Sequence, residues 1–319
     1  MARRALIVGI DHYEHVDNLM CAVTDATAMA DVLRQNSDGS NNYTCRLLVS
    51  HDGGGPVITR ASLREQWLEL FSDFDGDLLF FFAGHGVETA WGGYLVTQDG
   101  QAGEWGLSMD DLLLLANRSN ARQVILILDC CHSGHAGNPP LLQSVRDISV
   151  LREGVTILAA SRPAQAAAEA GGHGLFTAAL VDGLQGAAAD HIGMVSASSL
   201  YAHVDRLFDA WSQRPLFKSH VSSPQVIRCC DPIVPLSLLR LLPQHFRTAD
   251  ARLKLDPDYE SDGDSEKSRD FEQFKLLRNG HMIETVEDGD LYFAAINSNH
   301  IVLTLLGQYY WRLAERGAI

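Results

Sequence analysis

Two apolar stretches, at residues 78–83 and 124–129, give the clearest signal in the chain. Neither alternates polar with apolar residues, so each predicts a strand buried on both faces within a parallel sheet. Small and reactive residues follow at once: His85 after the first stretch, and Cys130 and Cys131 after the second. Ligands and chemistry collect at the carboxyl ends of parallel strands. We therefore expect the histidine and the cysteines to share one edge of a sheet.

The rest of the first two hundred residues alternates predicted strands with predicted helices. Thr59 and Ser108 are suited to begin two of the helices, because their hydroxyl groups can accept from backbone N–H groups of the first turn. Further strands are predicted at 5–10, 44–50 and 155–160, a hairpin at 92–97, and helices at 22–35, 59–73, 108–117, 176–185 and 196–211. This order predicts an α/β fold with a mostly parallel sheet and helices on both faces.

The pattern changes after residue 230, and we expect three segments: a main domain over 1–232, a connecting segment over 233–270, and a small module over 271–319. The connecting segment is rich in leucine at 236–242 and acidic at 256–270. For the small α+β module we predict helices at 271–277 and 304–316, with a strand at 290–295. A winged-helix-like arrangement is one interpretation of that order.

Composition narrows the classes of function. The net charge of −15 argues against nucleic acid or an anionic membrane as the main partner. No stretch is long and apolar enough to predict a membrane-spanning helix. Six cysteines, four of them in two adjacent pairs, do not resemble a secreted disulfide framework. Thiols in a reducing compartment, and hence a cytoplasmic protein, are the expectation.

The two strand ends have the groups that thiol catalysis needs. Glycines on both sides of His85 allow a sharp turn and a close approach of a peptide. A thiolate needs a base, and the oxyanion of the reaction needs donors, for which the N–H groups of Gly86 and Cys131 are candidates. Successive side chains of a strand face opposite sides, so one of the two adjacent cysteines faces the site and the other packs inside.

These motifs resemble a known family. Phe-Phe-Ala-Gly-His-Gly at 81–86, together with Asp-Cys-Cys-His-Ser-Gly at 129–134, is similar to the caspase-like cysteine peptidases. The chain resembles metacaspases and bacterial caspase homologues more than animal caspases, whose Gln-Ala-Cys-x-Gly signature is absent. Segments at 8–13, 21–26, 159–165 and 174–177 also fit, so the resemblance covers roughly residues 4–230.

The resemblance assigns roles to individual residues. It implies Cys131 as nucleophile, with Cys130 at a variable position, and His85 as base. Metacaspase-like enzymes cleave after arginine or lysine, and their two pocket acids match Asp25 and Asp129. Ala83 departs from the family, in which many members have a hydroxyl residue beside Gly-His-Gly, so one hydrogen bond to the substrate is missing from the expected pocket.

The resemblance also implies regulation. Relatives are often cut after the nucleophile strand, here in the loop 135–154, where Arg146 and Arg152 are candidate sites for self-cleavage or for an upstream protease. No cofactor is required; some metacaspases bind calcium, for which Asp99, Asp110 and Asp111 are candidate ligands. The acidic pair 110–111 also suits a helix N-terminus. Bacterial defence or programmed cell death is the context that relatives suggest.

Two other functions stay open at this stage. One is a catalytically silent caspase-like module that acts by binding, and the other is a thiol redox or metal protein that uses the adjacent cysteines. The spacing of His132 and His135 from these cysteines does not match a closed structural zinc site. We expect His173 and His191 to lie in surface loops, and no feature of the sequence predicts an oligomeric state.

Overall fold

The computed structural model describes most of the chain, without the side chains of residues 131, 132, 169 and 170: its residues are 2–50, 58–132, 150–160, 169–170, 173–208, 215–260, 266–287 and 289–319. They divide into two compact units. The first is formed by Met1–Ala189 with Met194–Cys230, and the second by Asp190–Gly193 with Asp231–Ile319.

An eight-stranded sheet forms the centre of the first unit. Its strands are β1 (Arg3–Gly9), β2 (Thr44–Val49), β3 (Asp77–Thr89), β4 (Gly92–Gln101), β5 (Glu104–Ser108), β6 (Gln123–His132), β7 (Val155–Ala159) and β11 (Leu216–His220). The three strands numbered between β7 and β11 lie outside this sheet. The order is β11-β7-β6-β3-β1-β2, with β4 paired to β3 and β5 to β4. All neighbours from β7 to β2 are parallel, whereas β11, β4 and β5 pair antiparallel. The predicted mostly parallel sheet is confirmed.

The short strands of this unit lie outside the main sheet. β8 (Glu169–Ala170) pairs with β9 (His173–Gly174), and β10 (Met194–Ser196) pairs with β12 (Val226–Cys229). Both pairs are antiparallel. The first of them is adjacent in sequence to a helix that lines the candidate site.

In the described part of this unit, five helices pack on the two faces of the sheet. They are α1 (Ala22–Arg34), α2 (Arg60–Leu70), α3 (Met109–Arg118), α4 (Leu175–Asp182) and α5 (Ala197–Leu207), and a π-helical turn, Gly183–Ala187, follows α4. Thr59 begins α2 as predicted, in a reciprocal pair of hydrogen bonds with Ser62. Ser108 begins α3 by accepting from the N–H of Asp110. These caps satisfy N–H groups that have no partner inside the helix.

The two central strands are buried on both faces, as their apolar stretches predict. Phe80 and Phe82 belong to the hydrophobic core on the side of α2 and α3. Phe81 and Ile127 belong to a second core, on the side of α1, α4 and α5. Alternate side chains of each strand thus fill opposite cores, and burial on two faces is the reason that no polar residue interrupts the sequence.

The second unit has a core and a sheet of its own. Its strands are β13 (Arg252–Lys254), β14 (Ile283–Thr285) and β15 (His300–Leu303), and its helices are α6 (Leu236–Leu239), α7 (Leu242–His245), α8 (Glu266–Asn279), α9 (Leu291–Ile296) and α10 (Leu305–Glu315). The strands are antiparallel in the order β13-β15-β14. Leu238, Leu239 and Leu242 pack in the same core as the aromatic residues of α8, so the leucine-rich stretch is part of this unit.

The strand predicted at 290–295 is wrong, because this segment is helix α9. Asp290 caps the helix by accepting from the N–H of Tyr292. The side chains of Leu291, Ala294 and Ala295 are buried at helical spacing. Within the described ranges, no helix of either unit is long and apolar enough to cross a lipid bilayer.

Candidate active site

The predicted base and nucleophile lie opposite one another on neighbouring strands. β1 and β7 pair with the central strands only as far as Ala83 and Leu128, respectively. Beyond that point β3 and β6 continue side by side, and His85 pairs in register with Cys131. Neighbouring strands lie about 4.8 Å apart. The backbone therefore brings the two residues together at the carboxyl edge of the sheet.

The neighbouring cysteine belongs to the protein interior. Cys130 is 2% exposed and packs in the core on the side of α2 and α3. Its position confirms the expectation that one cysteine of the pair is a core residue.

Contacts from the segment after β1 fix the orientation of His85. Its Nε2 atom lies 2.8 Å from the carbonyl oxygen of Asp17, and the ring of Tyr13 packs against it with 4.8 Å between ring centroids. A carbonyl oxygen only accepts, so Nε2 carries the hydrogen and donates it. In the neutral imidazole Nδ1 is then the nitrogen that can take up a proton. The ring is buried, with the residue 4% exposed.

Tyr13 also explains the glycine that precedes the histidine. The backbone N–H of His85 donates to the Tyr13 hydroxyl over 2.8 Å. A Cβ atom at Gly84 would lie 2.7 Å from that hydroxyl oxygen. Glycine is thus needed here for close approach, and the tyrosine holds the backbone beside the base.

Two buried carboxylates lie at the same edge of the sheet. A Cβ atom at Gly174 would lie 3.0 Å from Oδ2 of Asp25 and 3.5 Å from Oδ2 of Asp129. The Thr177 hydroxyl donates to Oδ2 of Asp129 over 2.6 Å. Asp25 accepts from the N–H of Gly174, and from Nδ1 of His173 over 2.9 Å. A side chain at position 174 would therefore crowd the Asp25 carboxylate, and glycine avoids this contact.

The first helix places Asp25 in this arrangement. Gly9, the last residue of β1, lets α1 approach so closely that a Cβ atom there would lie 2.4 Å from the carbonyl oxygen of Ala22. The carboxylate of Asp11 accepts from the N–H groups of Ala22 and Val23 and so holds the first turn of the helix. Asp25 is one turn further along the buried face of α1.

The electrostatics of this arrangement favour a bound cation. Burial raises the pKa of Asp25 from 3.8 to about 6; the hydrogen bond from His173 opposes this shift and the charge of Asp129 adds to it. Two neighbouring carboxylates repel each other when both are ionised, and a positive group between them offsets this repulsion. A cation bound here would favour the ionised form of Asp25 and so oppose the effect of burial.

Comparison with known proteins places the fold in a family. A model of the family described as "Caspase domain" matches residues 2–226. The chain belongs to the caspase-domain family. This is a family of cysteine peptidases, and the substrates of such peptidases are proteins. No curated protein sequence matches this caspase domain significantly.

Solved structures support the same fold. In total 211 chains of known structure match. One is protein GSU0716 from Geobacter sulfurreducens, which is 16% identical with a TM-score of 0.51. The match covers 70% of the present chain and 95% of the Geobacter protein. At this level of identity the likeness concerns the fold alone.

The structure adds site residues that the sequence did not reveal. Tyr13 and the Asp17 carbonyl hold the candidate base, while Gly174 and Thr177 donate to Asp25 and Asp129, respectively. The expectation that His173 lies in a surface loop is wrong, since its half-buried ring is bonded to Asp25. The motif at 174–177 is part of the family resemblance, but its sequence does not indicate which carboxylates it contacts.

Other candidate residues keep their predicted roles as proposals. Gly86 pairs in register with Leu95 of β4 and with His132 of β6. Ala83, a buried residue, lies opposite Asp129.

The candidate calcium ligands already have local roles. Asp99 accepts from the Thr97 hydroxyl and from the N–H of Arg60. Asp110 and Asp111 lie in the first turn of α3, where their charge complements the helix dipole. Calcium binding by these three residues stays a prediction.

Only one of the two candidate processing sites lies within the described residues. Arg146 lies outside the described residues. Arg152 is described, and its guanidinium donates to the carbonyl oxygens of Ala116, Glu153 and Ala121. Burial lowers the pKa of this group, and its bonds tie the start of β7 to the end of α3.

The raised pKa of Asp25 predicts a pH-dependent cost in stability. The folded protein holds this proton more tightly than the unfolded chain, so the contribution of Asp25 to stability falls as the pH rises from about 4 through 6. Between pH 5 and 7.5 we expect the Asp25→Asn variant to gain about 1.5 kcal/mol relative to the parent.

Urea unfolding at the two pH values measures this difference. Both proteins carry His173→Gln, which leaves no ionisable side chain at position 173. The glutamine amide keeps a neutral donor at this position, and burial still raises the pKa of Asp25, so the sign is unchanged. A difference that stays constant with pH, or that favours the aspartate as the pH rises, contradicts the prediction.

Proposed function

We propose that this caspase domain is an active cysteine endopeptidase that cleaves peptide bonds after arginine or lysine. The observation that carries the proposal is the register of β3 with β6, which sets His85 opposite Cys131 and Ala83 opposite Asp129. Base, nucleophile and a pocket acid thus follow one another on two adjacent strands. The buried Asp25 adds a second acid from α1.

The reaction follows from the orientation of the histidine. Nδ1 of His85 takes the proton of the Cys131 thiol, and the thiolate attacks the carbonyl carbon of the scissile bond. The N–H groups of Gly86 and Cys131 stabilise the oxyanion. His85 then returns the proton to the departing amine, and a water molecule hydrolyses the acyl-enzyme. The bond from Nε2 to Asp17 keeps the basic nitrogen in place throughout.

Substrate choice is proposed from the carboxylates. A guanidinium has five N–H donors in a planar fork and can bind two carboxylates at once, whereas an ammonium is a compact point charge. The space beside Gly174, bordered by oxygens of Asp25 and Asp129, suits either cation and favours arginine. An acidic residue at the cleaved position would meet two charges of its own sign.

The setting of the enzyme is also part of the proposal. None of the five described cysteine side chains is in a disulfide, which suits a reducing compartment such as the cytoplasm. The net charge of −15 suits basic peptide substrates better than nucleic acid or an anionic membrane surface. A role in bacterial defence or cell death is suggested by the family resemblance.

Peptide hydrolysis tests the reaction and the nucleophile together. With matched fluorogenic peptides that end in Arg, Lys or Asp, we expect cleavage after Arg and Lys only. Cys131→Ala should lower kcat by on the order of 10³ or more. The matched control is Cys130→Ala, which removes a buried sulfur next to the site and should retain most of the activity. Cleavage after Asp, or loss of activity in the control alone, contradicts the assignment.

A second prediction tests the space between the acids. Gly174 has an ordinary φ of −64°, so alanine fits the backbone without strain. Its methyl group would narrow the space at Oδ2 of Asp25. We expect Gly174→Ala to raise KM for the arginine peptide about tenfold, as in other pockets that change by one methyl group. The alkylation rate of the Cys131 thiol by iodoacetamide, the internal control, should stay unchanged; an unchanged KM excludes this space as the pocket.

Processing of the loop 135–154 is proposed to activate the enzyme, with Arg146 as the main site. Cleavage after Arg152 would first have to release the guanidinium from three carbonyl oxygens. Cutting at Arg146 leaves these bonds intact. New chain ends in this loop would be able to reorganise beside the nucleophile strand.

Mass spectrometry of the purified protein measures where the loop is cut. We expect Arg146→Gln to remain uncut and poorly active. Arg152→Gln should still be cut after Arg146 but should unfold at a temperature several degrees lower, since it loses about 2 kcal/mol of hydrogen bonding. Cys131→Ala separates self-cleavage from the action of an upstream protease. Full activity of uncut Arg146→Gln contradicts the proposal.

A further inference from the structure

His173 makes a contact that the proposed reaction does not use. Its Nδ1 atom donates to Oδ1 of Asp25 over 2.9 Å. The His173 side chain is 32% exposed and that of Asp25 is 4% exposed. A half-exposed ring thus reaches inward to a buried carboxylate that we assign to substrate binding.

The other bonds of the two acids do not depend on this ring. Asp25 also accepts from the backbone N–H of Gly174, and Asp129 accepts from the buried hydroxyl of Thr177. Both donors belong to the start of α4 and remain in place when the imidazole leaves. His173 is therefore the contact of Asp25 that can be exchanged for another donor.

The ring can leave by rotation of its own side chain. The backbone is held, since His173 and Gly174 form β9, which pairs with β8, Glu169 with Gly174 and Ala170 with His173. The N–H of Gly174 also donates to Asp25. The imidazole is 32% exposed, so its rotation toward solvent costs little compared with the binding of a guanidinium to two carboxylates.

We propose that His173 is a built-in competitor for the basic-residue pocket, whose imidazole occupies Asp25 in the unliganded enzyme and leaves when an arginine or lysine side chain enters. This inference rests on the proposed function, because it takes Asp25 and Asp129 as the pocket acids. The ring keeps the buried carboxylate hydrogen-bonded while no substrate is bound. In return it lowers the apparent affinity for every basic side chain by the fraction of time that it occupies the acid.

Binding of agmatine, a small guanidinium compound, tests the competition without catalysis. The measurement is isothermal calorimetry on the full chain with Cys131→Ala. Adding His173→Ala should tighten agmatine binding about tenfold, and His173→Gln, which retains a neutral donor, should lie between the two. His173→Arg places a tethered guanidinium at the pocket and should abolish binding. Asp25→Asn should weaken binding in every background.

Catalysis by proteins with an intact Cys131 gives a second readout. With the arginine peptide, His173→Ala should lower KM about tenfold and leave kcat unchanged. A ring that merely positions Asp25 would have the opposite effect, because its loss would weaken agmatine binding and raise KM.

The outcomes separate the two proposals. Unchanged or weaker agmatine binding by His173→Ala overturns the competitor, as does the absence of binding in all variants. If the Ala variant unfolds, unchanged or weaker agmatine binding by His173→Gln overturns the competitor instead. The expected order of affinities without any peptide hydrolysis overturns the peptidase and leaves the competitor standing. Hydrolysis after arginine with an unchanged KM in His173→Ala overturns the competitor alone.

Discussion

Ten consecutive residue pairs join β3 to β6, and the candidate site depends on the register of this pairing. A shift by one residue would move every side chain of one strand to the opposite face. Phe80 and Phe82 would then leave one core, and Phe81 would leave the other. Complete burial of each such side chain contributes about 2–3 kcal/mol, so the apolar stretches specify the register strongly. The same burial that stabilises the sheet therefore sets His85 opposite Cys131.

The buried carboxylates at the two ends of this sheet have different hydrogen-bond partners. At the amino end, Asp77 is 1% exposed and binds the guanidinium groups of Arg3 and Arg122. At the carboxyl end, Asp25 is bonded by an imidazole and a peptide N–H, and its pKa is raised by burial. The first carboxylate is neutralised within the fold. Burial of the second carboxylate disfavours its charged form, and a cation bound beside it would offset this unfavourable free energy. Such an arrangement is expected where binding has been favoured over stability.

The sequence predicts the parts of this structure that depend on repeated local patterns. Apolar stretches gave the central strands, and hydroxyl residues gave the starts of α2 and α3. The segment 290–295 was mistaken for a strand because aromatic residues favour strands and six residues are too few to reveal a helical period. The role of His173 was missed for another reason: its partner, Asp25, is 148 positions away in the sequence. No local pattern records such a contact.

The connection between β1 and α1 links the proposed chemistry to the proposed specificity. Its Tyr13 hydroxyl and Asp17 carbonyl both accept hydrogen bonds from His85, the proposed base. The helix that follows it, α1, carries Asp25. Its two ends are tied together, since the carboxylate of Asp11 binds the first N–H groups of α1 and its carbonyl accepts from Leu19. A displacement of this connection would disturb the histidine and the pocket acid at once. The proposed base and one of the two proposed pocket acids are thus positioned by a single piece of backbone, although their side chains come from β3 and α1.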